Sequence, residues 1–175
     1  MGIPYVPTLG FAGSDVIGRR DDFTIMSNPF NPQEQFVVAK AINPDVAIFH
    51  GLKGDRIGNV LLRDRGDELM LGQASRKVIV TVEEVVDRVD PKDSAGNFMP
   101  AIHVTAVAHA PMGAHPTAAP GYYDADEEEL RAYVEASCSD ESFQKYLQRH
   151  VFEHSDHAGY LTMLGLGSAY VAVAP

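Results

Sequence analysis

Apolar residues occur in short runs between glycines and prolines over most of this chain, and recur at helical spacing only towards its end. Val46, Ala47, Ile48 and Phe49 form a continuous apolar run bounded by Pro44 and Gly51. That pattern predicts a strand over 45–50 that is covered on both faces. Residues 67–76, with Leu69, Met70 and Leu71, predict a short helix, and residues 77–85, rich in Val, Ile and Thr, a second strand. Over 101–110, Ile102, Val104 and Val107 partly alternate with His103, Thr105 and His109, which predicts a third strand with one wet face. Residues 111–123 carry Gly113, Pro116, Pro120 and Gly121 and read as a long loop.

The last third reads as helices. Asp124 with Glu127 three residues on has the form of a capping box, and Leu130, Tyr133 and Val134 supply an apolar stripe. Ser139 or Asp140 can cap a second helix carrying Phe143, Tyr146, Leu147 and Val151. A third runs over 155–164, with Gly165 placed to end it. The first third is broken by Pro4, Pro7, Gly10, Gly13, Gly18, Pro29 and Pro32, and is expected to wrap over a core rather than build one. The order predicts an α/β fold in one domain, an open and mainly parallel sheet flanked by helices. Its parts are a loop-rich arm (1–41), a sheet core with its loops (42–123) and a helical cover (124–175). A sheet of three strands leaves an edge that needs a neighbour, so association into an oligomer is expected.

Composition narrows the class. The 175 residues are 45% hydrophobic and 22% charged, as in an ordinary globular domain. A net charge of −10 argues against general nucleic-acid binding, which requires cations for phosphates. The acidic run from Asp124 to Glu129 reads as a solvated helix start. No apolar run approaches the length of a membrane span, and the start of the sequence lacks the pattern of a signal peptide. The single cysteine, Cys138, fits a reducing cytoplasm and an inert thiol.

Three groups of residues could carry chemistry. His50, Lys53, Asp55, Arg56 and Asn59, punctuated by Gly51, Gly54 and Gly58, follow a strand end, where α/β proteins place ligands. They read either as a ligand-facing loop or as a turn in which Asp55 and Asn59 satisfy backbone amides. Adjacent Glu83 and Glu84 point to opposite faces of their strand, so at most one enters a pocket; the alternative is a strand-end salt bridge. In the loop, His115 and Thr117 suit contact with a carboxylate or a neighbouring subunit, or the segment is a connection held by Tyr122 and Tyr123. His150, His154 and His157 have spacings that could bind zinc, but a helix start near Ser155 would break their common face, so they read as capping and packing residues and no metal is expected.

Taken in order, the strand PDVAI followed by His50, the loop Asp55-x-x-Gly58-Asn59, the strand from Ala74-Ser75 through Lys77 to Glu84, and the run GAHPTAAPGYYDAD (113–126) resemble the α subunit of family I coenzyme A transferases, in its glutaconate CoA-transferase branch. The resemblance covers the chain from about Tyr5 onward. It departs in one respect: such subunits are longer, with an upstream half carrying a glycine-rich loop, so this chain looks like a carboxyl-terminal half. The resemblance implies a cytoplasmic transferase that moves CoA between an acyl-CoA and a carboxylic acid, with the CoA thioester as substrate and no permanently bound cofactor. It implies a β-subunit partner that supplies the nucleophilic glutamate, so that no catalytic residue is expected here and the chain alone would be inactive. His50, Asp55, Asn59, Glu83, His115 and Thr117 are then candidates for substrate binding. A related activity, ring-opening hydrolysis of an acyl-CoA, is the alternative within the family, and a non-catalytic subunit-interaction remnant the alternative outside it.

Overall fold

The computed structural model describes residues 3–93 and 97–167, which form two compact units divided after Asp45. The first unit is an antiparallel sheet of β1 (Tyr5–Thr8), β2 (Phe23–Asn28) and β3 (Asn31–Lys40), in the order β1-β3-β2. A single helical turn, α1 (Val16–Arg19), precedes β2. The segment expected to be a loop-rich arm is therefore largely strand. Its prolines mislead because they occupy places a sheet tolerates. Pro7 lies on edge strand β1, opposite Val38; Pro29 lies in the β2–β3 turn; Pro32 lies where the register shifts beyond Ser27 and Asn28. Asn28 shapes that turn, its side chain accepting from Phe30 N–H and donating to Glu34. Val37 and Val38 are the buried pair of this unit.

The second unit holds a five-stranded mixed sheet, ordered β7-β5-β4-β6-β8. Its strands are β4 (Val46–Asp55), β5 (Val60–Leu61), β6 (Lys77–Val86), β7 (Phe98–Met99) and β8 (Ala106–His109), and the helix α2 (Glu68–Ala74) lies between β5 and β6 in sequence. The expected parallel sheet is present as β4, β6 and β8. Two short strands, β5 and β7, add antiparallel on one side. β4 runs five residues past His50, so Lys53 and Asp55 belong to strand rather than loop. β8 is shorter than expected because a tight turn, Ala101–His103, takes up its start.

Alternation on β6 decides which face is core. Val78, Val80 and Val82 are buried with Ala47, Val60, Leu62 and Met99, and Phe49 and Leu69 pack against them. Close backbone approach is needed at Gly51, where a Cβ would meet Val60 Cγ1 at 2.7 Å, and at Gly72 of α2, where it would meet Met99 Cε at 2.6 Å. Thr81 and Glu83 point to the opposite face, as does His50 of β4, whose register partner is Thr81.

Three helices follow: α3 (Glu127–Ala136), α4 (Asp140–Leu147), continued by a wide turn Gln148–Phe152, and α5 (His157–Met163). The cap of α3 is Asp126, which accepts from Glu129 N–H, two residues later than the expected Asp124. The loop fixes that start, since Asp126 N–H donates to Pro116 O and its carboxylate also meets His115. Ser139 caps α4, Asp156 caps α5, and Gly165 (φ +76°) follows α5 in the left-handed region, as the sequence predicts. Among the described residues, no helix is long and apolar enough to cross a membrane.

Candidate functional site

The polar centre of the second unit is Glu83, near the carboxyl end of β6 and only 6% exposed. Its Oε1 accepts from His50 Nε2 (2.6 Å) and Tyr123 OH (2.5 Å), and its Oε2 from Met112 N–H (2.7 Å). Its carbonyl accepts from His109 Nε2 (3.2 Å). Burial pushes the Glu83 carboxyl up, but the hydrogen bonds from His50, Tyr123 and Met112 outweigh it and hold the group below the usual range. Glu83 is therefore an anion. His50 Nε2 must donate to it, and His50 Nδ1 meets Thr81 Oγ1 at 2.8 Å. Both ring nitrogens of His50 are thus engaged, and Gly113 packs against the ring so closely that a Cβ there would lie 2.7 Å from His50 Cε1.

Glu83 and Glu84 divide their work as strand alternation requires. Glu84 points to the other face, where Lys53 Nζ (3.0 Å) and Tyr122 OH (3.0 Å) meet its Oε2. Two consecutive strand carboxylates thus hold two consecutive loop tyrosines. Tyr123 OH also accepts from Ala114 N–H (2.9 Å), which ties the far end of the loop to its start. Burial and then the hydrogen bond to its carboxylate raise the pKa of each tyrosine, so both hydroxyls stay protonated donors. Met112 sits at φ +59°, the left-handed conformation that turns its N–H towards Glu83.

His115 is buried, with 6% of its side chain exposed. Its Nδ1 meets Tyr160 OH at 2.6 Å and its Nε2 meets Asp126 Oδ2 at 3.2 Å, so it joins the loop to α3 and α5. Its nitrogens thus meet groups of the chain's own helices, which fold back over it. Thr117 is exposed and donates to Ala114 O. It lines a cavity of about 250 Å³ together with Phe49, His50, Leu52, Arg63 and Glu68, whose buried Oε2 has no hydrogen-bond partner.

Asp55 and Asn59 form a separate centre. Asp55 Oδ1 accepts from the N–H groups of Ile57, Gly58 and Asn59, and Oδ2 from Asn59 Nδ2 and Val89 N–H, all at 2.9–3.1 Å. Asn59 Oδ1 accepts from Ala101 N–H. Burial pushes the Asp55 carboxyl up, but these bonds overcome it and hold it low. Arg56, on the same turn, lines a second cavity of about 290 Å³ with Ile57, Gly58, Val85, Thr105 and Val107. The six candidates therefore fall into two groups. His50, Glu83 and the loop of His115 and Thr117 come together; Asp55 and Asn59 bond to one another and to other turns.

The carboxyl-terminal histidines are spread over separate contacts. His150 lies 3.3 Å from Glu129 and stacks on Tyr146, while His157 donates to Pro111 O. Among the described residues no group of three His, Cys, Asp or Glu side chains could hold a metal ion. Sequence reasoning missed the hydroxyls of Tyr122 and Tyr123, the Met112 amide, and Arg63. Two adjacent tyrosines were readable as a signal, but their carboxylate partners lie 38 and 40 residues away.

A sequence model of the coenzyme A transferase family matches residues 6–110. The chain is 31% identical to the A subunit of the glutaconate CoA-transferase of Acidaminococcus fermentans over 94% of its length, and 31% identical to the A subunit of the 3-oxoadipate CoA-transferase of Pseudomonas knackmussii over 95%. It is 28% identical over 88% of its length to a cholesterol ring-cleaving hydrolase IpdA subunit of Rhodococcus jostii. It spans 57%, 58% and 55% of those three proteins. The crystal structure of the Acidaminococcus glutaconate coenzyme A-transferase superposes with a TM-score of 0.84 and 30% identity, covering 99% of this chain and 61% of that one. Sequence and fold agree on one assignment: the chain belongs to the coenzyme A transferase family.

Proposed function

We propose that this chain is the α-subunit portion of a CoA-transferase, which works with a β-type subunit to move CoA between an acyl-CoA and a carboxylic acid. The observation that carries the reading is the loop of residues 111–123. It is latched by Glu83, near the carboxyl end of β6, over His50, and bounds a cavity against the middle of β4. In this reading the chain shapes the acyl pocket and the subunit interface. The state of Glu83 supports a nucleophile supplied from outside. Three donors fill its oxygens, and a carboxylate held as such a stabilised anion is a poor attacking group.

The exchange then runs in balanced steps. The partner's glutamate carboxylate attacks the thioester carbonyl and expels CoA thiolate, leaving an acyl–glutamyl anhydride. The thiolate attacks the glutamyl carbonyl, which releases the first acid and forms an enzyme thioester. The acceptor carboxylate attacks that thioester, expels the thiolate and forms a second anhydride. The thiolate takes the new acyl group and frees the glutamate. His50, Glu83, His115 and Thr117 act by holding the wall against which the acyl group is oriented; Asp55 and Asn59 act by fixing the next turn.

The test is co-expression with a β-type subunit, followed by acyl-CoA exchange over several mono- and dicarboxylic acids. Exchange by the pair but not by the chain alone is expected; exchange by the chain alone would overturn the division of labour. The likeness to the IpdA hydrolase subunit gives the second reading its footing. Loss of acyl-CoA in the assembled enzyme without any acceptor acid would favour it.

A further inference from the structure

We infer that the outer edge of β2 is a self-association surface, on which a second copy of this chain docks by antiparallel strand pairing. The inference concerns the first unit alone and is independent of the transferase reading. Three observations lead there. First, the edge is open. Lys40 N–H donates to Asp22 O, so alternation along the antiparallel pair turns the backbone groups of Thr24 and Met26 towards β3. Those of Phe23, Ile25 and Ser27 point away from it, and β2 ends the strand order. Second, the two edges of this sheet differ. Ala41 N–H donates to Pro4 O, and the same alternation turns Pro7 outward on β1, where its missing N–H spoils any added strand. β2 has no such guard. Phe23 to Ser27 include neither proline nor charge, and the register shift comes only after Ser27. Natural sheets leave an edge so unprotected where something covers it.

Third, the edge complements itself. About a twofold axis at Ile25, that residue meets its own image and Phe23 meets the second copy's Ser27. Each outward N–H then finds an outward carbonyl with no change of backbone. Thr24 falls beside the second copy's Met26, an exposed side chain that can enter the cavity of about 280 Å³ lined by Asp21, Asp22, Thr24, Met26, Val38 and Lys40. Asp22 is paired with Arg20 and falls beside the second copy's Asn28. The contact thus opposes no like charges, although the chain carries a net −10. Pairing gives the order β1-β3-β2-β2-β3-β1 and leaves only the edges that carry Pro7 outside. That closure selects a second copy as the occupant. A strand from another protein would cover β2 but bring a further edge of its own, whereas two copies use up the unprotected edges and the assembly stops at a dimer.

The purified chain can be followed by light scattering at micromolar concentration and by amide exchange. A mass of twice 19.0 kDa is expected, with slow exchange at Phe23, Ile25 and Ser27, the amides that a single copy leaves open. Ile25→Lys sets two cations against each other on the axis. It should return the mass to 19.0 kDa and speed exchange at Phe23, Lys-substituted position 25 and Ser27 by about tenfold or more, while Thr24 and Met26 keep their bonds to β3. Ile25→Pro removes the outward N–H without touching a bond to β3, and gives a second reading if the lysine variant folds poorly. Tyr5→Lys, on the β1 edge, should leave the mass doubled. A monomer would overturn the inference. So would a dimer with fast exchange at Phe23, Ile25 and Ser27, a dimer that survives both substitutions at Ile25, or amides that become protected only when a β-type subunit is added.

Discussion

Two buried carboxylates, at the ends of neighbouring parallel strands, do opposite kinds of work. Asp55 closes β4 with bonds that are mostly local: four of its five donors come from Ile57, Gly58 and Asn59, and only Val89 is distant in sequence. Glu83, near the end of β6, takes its side-chain bonds from His50, Met112 and Tyr123, which lie 33, 29 and 40 residues away. The first builds a turn that its own sequence nearly dictates. The second joins strand β4, the start of the loop after β8 and the far end of that loop at one point. Both carboxylates are desolvated, but the Glu83 hub cannot form until the sheet exists. The candidate pocket therefore depends on tertiary structure in a way that the Asp55 turn does not.

The largest expected effect follows from that difference. Glu83→Ala leaves His50, Tyr123 and Met112 N–H without their acceptor and should cost about 3–5 kcal/mol, because three buried donors lose a charged partner at once. Urea denaturation measures the loss, and amide exchange should show lost protection at Met112 and Ala114 while the Asp55 turn keeps its own. Equal deprotection of both regions would mean that the two centres are one cooperative unit. Acid should act in the same direction. Both carboxylates have folded pKa values below their unfolded values of roughly 4.3 for Glu and 3.9 for Asp. Their contribution is complete above those values and is lost as pH falls through the folded ones. Stability should hold from neutrality to about pH 5 and decline below it, with a shallower acid limb in Glu83→Gln.

Asp55→Ala should come next, at about 2–3 kcal/mol, because a turn near the surface admits water to the freed amides. Its damage should be confined to residues 55–59 and the Val89 and Ala101 contacts, with the loop of residues 111–123 still protected. If the loop loosens as well, the contrast between a local and a long-range carboxylate is wrong.

The same contrast explains what the sequence made legible. The 46–49 run, the Lys77 strand, α2 and the caps at Ser139 and Gly165 are local patterns, and each appears in the structure near its expected place. The Asp55-x-x-Gly58-Asn59 turn was readable as one of two alternatives for the same reason. The antiparallel sheet of residues 5–40 was not readable, because Pro7, Pro29 and Pro32 look like breakers until it is known that they lie on an edge, in a turn and at a register shift. That Glu83 lies on the face opposite Val78, Val80 and Val82 follows from strand parity, but that this second face is covered does not, because Met112 and Tyr123, which meet Glu83 there, lie 29 and 40 residues on. Its pairing with His50 requires the β4–β6 register, which no local signal carries. The burial of His115 was not readable either, because Tyr160, which meets its ring, lies 45 residues on.

The smallest effects should separate the twin latches themselves. Tyr123→Phe removes one donor from a buried carboxylate and also leaves Ala114 N–H without an acceptor, so about 1.5–3 kcal/mol is expected. Tyr122→Phe removes a comparable bond, but to Glu84, whose side chain is 46% exposed and keeps Lys53 as a partner. Water replaces the lost donor there, and the expected cost is below about 1 kcal/mol. The two substitutions delete the same atom from adjacent residues, so side-chain size and loop composition cancel in the comparison. What remains is the depth of the carboxylate each tyrosine holds. Denaturation of both variants in one buffer gives the difference directly. Near-equal losses would show that the loop is held by tyrosine packing, and that the buried Glu83 latch contributes no more than its exposed neighbour.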